Sequence, residues 1–310
     1  MTLPFENPAL LLHVGYHKTA TTWMQRLLFT PAHGYRQLAD HREVFRHIVQ
    51  PHGLSFDPAP MQALVAERMA GLAAGEVPVI SSEILSGHPF QGGHESDVFA
   101  ERLARIAPGA RILISIRQQL RILPSVYMQY LLRGGTMPWE MFFKGQDEIE
   151  YFGFTPEHFE YDLLVAKYQA LFGVANVYVQ TQESLAADME AAASTLAAFA
   201  GNTGFTTLAP DAAQVHAASY PEYASPVLRR INQVQSSVLN PAPILRLGHT
   251  PEGLYRVAGY LLRRGPFKAL LQHRKPVSDY VRQKFTGHFT ASNQRLAALI
   301  RHPVDLKDYR

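Results

Sequence analysis

Leu11-Leu12-His13-Val14-Gly15-Tyr16-His17-Lys18-Thr19-Ala20-Thr21-Thr22-Trp23 decides the reading of this chain. An apolar run ends in a glycine. A lysine and a cluster of hydroxyl residues follow, and a helical pattern then begins. Strand, loop and helix in that order build an anion site. N–H groups at a helix N-terminus point at the ligand, and the helix dipole favours negative charge there. Lys18 adds a full charge, and the threonines add hydroxyl donors. The pattern is not a Walker A loop, which needs Gly directly before Lys and four residues between its glycines. Here His17 precedes Lys18 and Gly15 lies three residues upstream. The shorter, glycine-poor loop points to a relative of the P-loop nucleotide enzymes.

The chain has 310 residues, enough for one large α/β domain or two small ones. Hydrophobic residues make up 47%, ample for a packed core, and charged residues 18%, too few for a disordered chain. With no cysteine, disulfides, thiolate metal sites and cysteine nucleophiles are excluded. The fourteen histidines have no metal spacing such as His-Glu-x-x-His. The first residues carry no basic segment, and the apolar stretch after them is far short of the ~20 residues that span a bilayer. The expectation is a cytoplasmic protein.

The net charge of +3 hides an asymmetry. Between Arg229 and Lys284 there are eleven Lys/Arg against Glu252 and Asp279, so this segment carries +9 and the rest −6. A basic segment in an otherwise acidic chain suits an anionic partner or a membrane surface. A solvated helical face is the plainer alternative. No nucleic-acid partner is expected.

Four apolar runs read as buried strands: Leu10–Val14, Val77–Ser81, Ala110–Ile116 and Asn176–Gln180. Helical patterns cover Thr21–Phe29, Pro60–Ala74, Asp97–Ile106, Leu120–Leu132, Pro156–Phe172 and Ser184–Ala200, the last with Ser184 as N-cap and Gly201 as stop. This alternation predicts an α/β fold: a P-loop-type parallel sheet flanked by helices. After Gly201 the strand signal fades. Residues 202–226 read as loop, 227–275 as helices broken by Pro241, Pro243, Pro251 and Pro266, and 277–301 as helix broken near Gly287. The expected organisation is one domain over 1–310. Residues 1–201 form its nucleotide-binding core, 202–280 a mostly helical acceptor-side or lid region, and 281–310 a C-terminal helix.

A second signal is Ala110-Arg111-Ile112-Leu113-Ile114-Ser115-Ile116-Arg117, with Ser125 eight residues on, near a helix start. Ligands of open parallel sheets sit at the carboxyl ends of the strands, so Arg117 is positioned to reach the cleft of the Lys18 loop. A guanidinium fork with a hydroxyl suits a phosphate monoester. A lone Arg117 would more simply be a surface salt-bridge residue.

Together, the two signals resemble the PAPS-dependent sulfotransferases, of the bacterial and glycan- or lipid-directed kind. Lys18-Thr19-Ala20-Thr21-Thr22-Trp23 is similar to the Lys-Ser-Gly-Thr-Thr-Trp loop that holds the 5′-phosphosulfate of PAPS in that family. Arg117 and Ser125 match, in type and spacing, the family's receptor for the 3′-phosphate. The resemblance implies that Lys18, Thr19, Ala20, Thr21, Thr22, Trp23, Arg117 and Ser125 bind PAPS, that PAP is the product, and that no metal is required. Ala20 stands where the family usually has Gly, and a Cβ is strained wherever the backbone needs φ > 0. His17 stands where many members have Pro, with a structural role or a contact to sulfate or acceptor.

Glu83 lies just past the predicted strand Val77–Ser81, at the same cleft edge. Sulfuryl transfer to a hydroxyl needs a base, and a carboxylate whose pKa is raised by partial burial serves. Glu83 is the candidate, with His17 and His88 as rivals. Near the C-terminus, Ser292-Asn293 resembles a late segment of bacterial sulfotransferases, with Lys284 and His288 as lid candidates. A plain N-cap at Ser292 fits equally. Acceptors implied are a glycan, a lipid or a small alcohol, with peripheral contact at the inner membrane surface through residues 229–284. Two other readings compete. A P-loop kinase would need Mg²⁺ and usually a strand-end Asp, and none of the four predicted strands ends in one. A non-catalytic polyanion binder leaves the Lys18 loop and Arg117–Ser125 unexplained.

Overall fold

The computed structural model describes residues 9–145, 149, 151–213 and 220–309, and of residues 265–267 the backbone alone. Parts of the predicted 1–201 core (1–8, 146–148 and 150), of the 202–226 loop (214–219) and Arg310 lie outside the described residues.

Five parallel strands form the sheet: β1 (Leu11–His13), β2 (Tyr35–Ala39), β3 (Val77–Ser81), β4 (Arg111–Ile116) and β5 (Val177–Thr181), in the order β2-β3-β1-β4-β5. The four predicted strands appear within a residue or two of their expected bounds. They are continuous apolar runs because helices cover both faces of the sheet. Leu12, Val14, Ile112, Ile114 and Ile116 pack on one face with Leu103 and Tyr168. Leu11 and Leu113 pack on the other with Met24, Leu28 and Leu196. The strand the sequence did not reveal is β2. It is an edge strand with Arg36 and Gln37 exposed in its middle and a register shift between Gln37 and Ala39, so it lacks both an apolar run and clean alternation.

The helices follow the predicted periodicity, with four corrections, the first being that the predicted Pro60–Ala74 helix spans Ala59–Met69. Thr21–Trp23 is α-helical, but Met24–Leu28 widens into a π-helix. The predicted Pro156–Phe172 helix is a 3₁₀ turn, Pro156–Phe159, followed by the helix Tyr161–Phe172. The predicted Ser184–Ala200 helix is two, Gln182–Ala187 and Met189–Ala200, capped by Thr181 and Asp188 rather than by Ser184. Thr181 Oγ1 accepts from the Ser184 N–H at 3.1 Å, so Ser184 receives the cap it was expected to supply. Gly201 ends the second helix at φ 68°.

The late helices Ser225–Asn232, Gly253–Leu262, Pro276–Phe285 and Thr290–Leu299 pack their buried side chains into the core that covers Leu12 and Ile112. Ser292 and Asn293 explain how the last helix is fixed. Both are buried inside it, not at its start. Ser292 donates to the Asp162 carboxylate, which also accepts from Arg295 Nε at 2.5 Å. The Asn293 side chain exchanges hydrogen bonds with Gln119 at 2.7 and 3.2 Å and donates to the Tyr309 carbonyl at 2.7 Å. The pair is a clamp, neither cap nor lid. Asn293→Leu leaves the buried Gln119 side-chain oxygen and Tyr309 carbonyl without their Asn293 donor, at about 1–3 kcal/mol per orphaned group. Urea denaturation of this variant should show about 2–4 kcal/mol of lost stability with an unchanged m-value.

Candidate functional site

The strand order brings three chain segments to one edge. β1 lies between β3 and β4, so the Lys18 loop, Glu83 and Arg117 leave the carboxyl ends of three adjacent strands. The β1 backbone continues past His13 along β4: Val14 N–H donates to Leu113 C=O at 2.8 Å and Tyr16 N–H to Ser115 C=O at 3.0 Å. Behind the loop runs a buried polar chain. Thr19 Oγ1 donates to Tyr16 C=O at 2.6 Å, so its one proton is used there. Ser115 Oγ, 2.7 Å away, must therefore donate to Thr19. His13 Nε2 must then donate to Ser115 Oγ at 2.9 Å, which leaves His13 Nδ1 to accept from Ser81 Oγ at 2.7 Å. The chain of donors runs Ser81, His13, Ser115, Thr19, Tyr16. It requires one neutral tautomer of His13, and burial lowers the imidazole pKa to about 4 against a smaller opposing pull from Glu83.

Gly15 is dictated by this network. A Cβ there would lie 2.1 Å from Ser115 Oγ and 2.6 Å from His13 Nε2. On the far side of the loop, Lys18 (φ 70°) and Ala20 (φ 65°, ψ 20°) are both left-handed without being glycine. Each such residue costs about 1–3 kcal/mol and persists only where its surroundings over-determine it. Here they flank Thr19, which the network holds. Left-handed residues on either side of Thr19 are the backbone pattern from which anion-receiving nests are built. The first intrahelical bond is Met24 N–H to Ala20 C=O. The N–H groups of Thr21, Thr22 and Trp23 lie ahead of it and remain for a ligand. The predicted loop residues thus divide. Thr19 holds the loop from behind. Thr22 is exposed. The Trp23 indole donates to Ala212 C=O at 2.8 Å and ties residues 208–212 to the loop helix.

Around this loop the charges converge. Burial holds the Lys18 ammonium below its usual range, and Arg117 and Arg133 push the same way while Glu83 opposes. Arg117 Nη1 donates to Ser125 Oγ at 3.2 Å, so the pair expected from spacing is in contact. The Arg117 carbonyl accepts from Tyr161 Oη at 2.6 Å, which fixes the strand end. Beside Ser125 a cavity of about 270 Å³ is walled by Glu222, Tyr223, Arg274 and Lys275 among others. Arg274 and Lys275 are therefore the late basic residues at this end. Lys284 instead donates to Phe143 C=O at 2.6 Å, and His288 packs on Phe285 and Phe289, so neither expected lid residue lines the cavity.

Glu83 opens a short 3₁₀ turn after β3 and accepts from Gln25 Nε2 at 3.3 Å. Burial pushes its pKa up, as expected, but His17, which carries charge in the acid range where the two groups titrate together, its own backbone N–H, His41 and Gln25 outweigh burial and hold it below the usual carboxylate range. The carboxyl is ionised at neutral pH, which corrects the expectation of a raised pKa. Burial lowers His17 to about 4, with His88, Lys18 and Arg133 acting the same way and Glu83 opposing. His17 is thus a neutral imidazole, and its Nε2 is buried without a partner among the described residues. His88 stands 6.2 Å from it, ring to ring, and is also lowered, mainly by burial. Besides Arg274, Lys275 and the His13 network, two more residues went unrecognised in the sequence. Arg133, next to the Gly134–Gly135 turn, acts on Lys18, His17 and His88. Gln25 lies four residues past Thr21 on the loop helix. Asp40, which follows the unforeseen β2, is a strand-end Asp, but it is committed to a capping box with Glu43, two strands from β1.

No protein-family model matches the chain, and no curated protein does. Among solved structures, a sulfotransferase from Alicyclobacillus acidocaldarius is similar, with a TM-score of 0.56 and 17% identity over 98% of this chain and 100% of that one. Mouse sulfotransferase SULT7A1 complexed with PAP is a looser likeness, with a TM-score of 0.38 and 13% identity over 89% of each chain. The likeness to the bacterial enzyme is one of fold: this chain has the sulfotransferase α/β fold.

The buried histidines make the fold acid-labile. His13, His17 and His158 titrate near 4, 4 and 3 in the folded chain, each chiefly through burial, against about 6.5 when unfolded. Between pH 6.5 and 4 the unfolded chain therefore binds more protons. Stability is full above pH 6.5 and falls as the pH drops through that window. For His13 alone the loss is about 3 kcal/mol by pH 4. Urea midpoints should fall between pH 7.5 and 4, and the fall should be smaller in His13→Gln.

Proposed function

We propose that this chain is a sulfotransferase that moves a sulfuryl group from PAPS to a hydroxyl or amine of a glycan, lipid or small-molecule acceptor and releases PAP. The observation that carries the reading is the Arg117–Ser125 contact at the end of β4, beside the Lys18 loop at the end of β1. These are two separate anion receptors on one sheet edge. A nucleotide phosphorylated only at its 5′ end needs one. A nucleotide that also carries a 3′-phosphate needs both.

In this scheme the nest around Thr19 and the N–H groups of Thr21, Thr22 and Trp23 bind the 5′-phosphosulfate. Lys18 stabilises charge on the oxygen that leaves sulfur. Arg117, Ser125, Arg274 and Lys275 bind the 3′-phosphate. A new bond forms between the acceptor oxygen and sulfur while the bond from sulfur to the phosphate oxygen breaks. The acceptor proton passes to Glu83. Catalysis is mainly positioning and charge stabilisation. Glu83 is ionised and so ready to accept a proton, and an anionic donor beside Lys18 raises its pKa toward the working range. His17, neutral and with an unpaired nitrogen, suits a hydrogen bond to a sulfuryl oxygen better than the role of base. We read the enzyme as cytoplasmic.

Calorimetric titration with 3′,5′-adenosine bisphosphate and with ADP tests the donor assignment. The bisphosphate should bind at least tenfold more tightly. Equal affinity for ADP overturns the reading. Arg117→Ala should weaken the bisphosphate by about 10- to 100-fold, as expected for a charge-assisted contact of 1.5–3 kcal/mol, and leave adenosine 5′-phosphate nearly unchanged. Glu83→Gln should reduce kcat at least a hundredfold while preserving bisphosphate affinity, because general base catalysis contributes 10²–10⁴-fold. Near-normal turnover would move the base to His17 or His88.

A further inference from the structure

Exposed apolar side chains are unevenly distributed over this protein. Among the described residues, twenty-one large hydrophobics are exposed, and ten of them fall between Val238 and Leu270. Two elements carry most of them. The loop after the helix Ser225–Asn232 presents Ile244 (93% exposed), Leu245 and Leu247. The helix Gly253–Leu262 buries Tyr255 and Gly259, four residues apart, toward the core. Its opposite side carries Leu254, Val257 and Leu261, at i, i+3 and i+7, all exposed. A helix apolar on both sides is not an ordinary surface helix, whose outer face is polar. Leu270, 77% exposed, extends the apolar character into the next helix, Gly265–Leu271.

The charges interleaved with these side chains have one sign. Residues 238–270 contain Arg246, Arg256, Arg263, Arg264 and Lys268 against the single acid Glu252, a net +4. This decides what covers the apolar surface. A second copy of the chain, docked by the same face about a two-fold axis, would set +4 against +4. A bilayer with anionic headgroups offers opposite charge and an apolar layer beneath it. No helix among the described residues is long and apolar enough to cross a membrane.

We propose that the 238–270 surface seats the protein on an anionic lipid bilayer. Ile244, Leu245, Leu254, Val257 and Leu261 enter the headgroup–acyl boundary, and Arg246, Arg256 and Lys268 meet lipid phosphates. The helix Gly265–Leu271 runs on into Gln272, Arg274 and Lys275, which wall the cavity at Ser125. The docking surface is thus joined by a short stretch of chain to the site, and bound protein carries that site at the membrane surface. The proposal stands apart from the sulfotransferase reading, because its test measures binding to lipid and no turnover.

The test is co-sedimentation of the full chain with vesicles of phosphatidylcholine alone and with 30 mol% phosphatidylglycerol. The protein should partition onto the anionic vesicles and stay in the supernatant with phosphatidylcholine alone. Raising NaCl from 0.1 to 0.5 M should reduce binding at least tenfold. Arg246→Gln with Lys268→Gln should weaken partitioning about 25-fold, taking about fivefold per removed charge. Ile244→Ser with Leu261→Ser should weaken it at least tenfold at unchanged charge. All four positions are exposed, so the melting temperature should be unchanged, and a shifted melt is checked with Leu245→Ser with Leu254→Ser. Absence of binding to anionic vesicles, or binding indifferent to the apolar variants, overturns the proposal. So does a concentration-dependent dimer in analytical ultracentrifugation that the apolar variants dissociate.

Discussion

The hydrogen-bond chain from Ser81 through His13, Ser115 and Thr19 to the Tyr16 carbonyl is the constraint on which the site depends. Each member has one role because the last proton in the chain is already assigned. It links three adjacent strands to the loop, so the loop's shape is set by the register of the sheet. His13 pairs with Ser81 across β1 and β3, and Ser115 lies two residues beyond the partner of His13 on β4. A buried network that is fully satisfied specifies one arrangement, and a partly satisfied one is costly. Gly15 follows from this: the network occupies the space its Cβ would need.

The same burial that orders the network sets the electrostatics of the cleft. Lys18, Arg117 and Arg133 act on one another or on the same neighbours, and Glu83 is the carboxylate that offsets them at Lys18. In such surroundings a histidine gains nothing by charging. His17, His88 and His158 are all lowered, with burial the leading cause. The positive charge of the cleft is that of Lys18, Arg117 and Arg133, and the imidazoles remain neutral donors and acceptors. Glu83 is held below the usual carboxylate range, against its burial, by His17, its own backbone N–H, His41 and Gln25.

The sequence made the sheet legible where a strand is buried on both faces and silent where it is not. Val77–Ser81 is recovered residue for residue because all five side chains are buried, whereas Tyr35–Ala39 exposes two in its centre. Arg117 and Ser125 were legible because one strand–turn–helix carries both, so their spacing alone brings them together. The His13 network was not, since its members lie on three strands and meet only through register. Arg274 and Lys275 were missed, and Lys284 and His288 chosen in their place, for a related reason. Which late basic residue turns toward Ser125 is decided by how the helix Pro276–Phe285 packs, and that helix gives Lys284 to the Phe143 carbonyl. The strand-end Asp that the four legible strands lacked exists on the fifth, where Glu43 engages it.

A glycine-rich phosphate loop and this loop reach left-handed backbone by opposite means. Glycine makes left-handed backbone accessible at no steric cost, so such a loop is free to take its shape with the ligand. Here Lys18 and Ala20 take left-handed conformations with their Cβ atoms in place, and the compensating interactions come from the buried side of the loop, through Thr19. The shape of the loop is therefore held by the protein's own contacts. Its shape and part of the fold's resistance to acid rest on the same imidazole. Protonating His13 converts Nδ1 from an acceptor to a donor, breaks the direction of the chain at Ser81, and releases the restraint that holds two strained residues. Loss of the loop's shape and the share of the stability loss due to His13 should thus follow one titration.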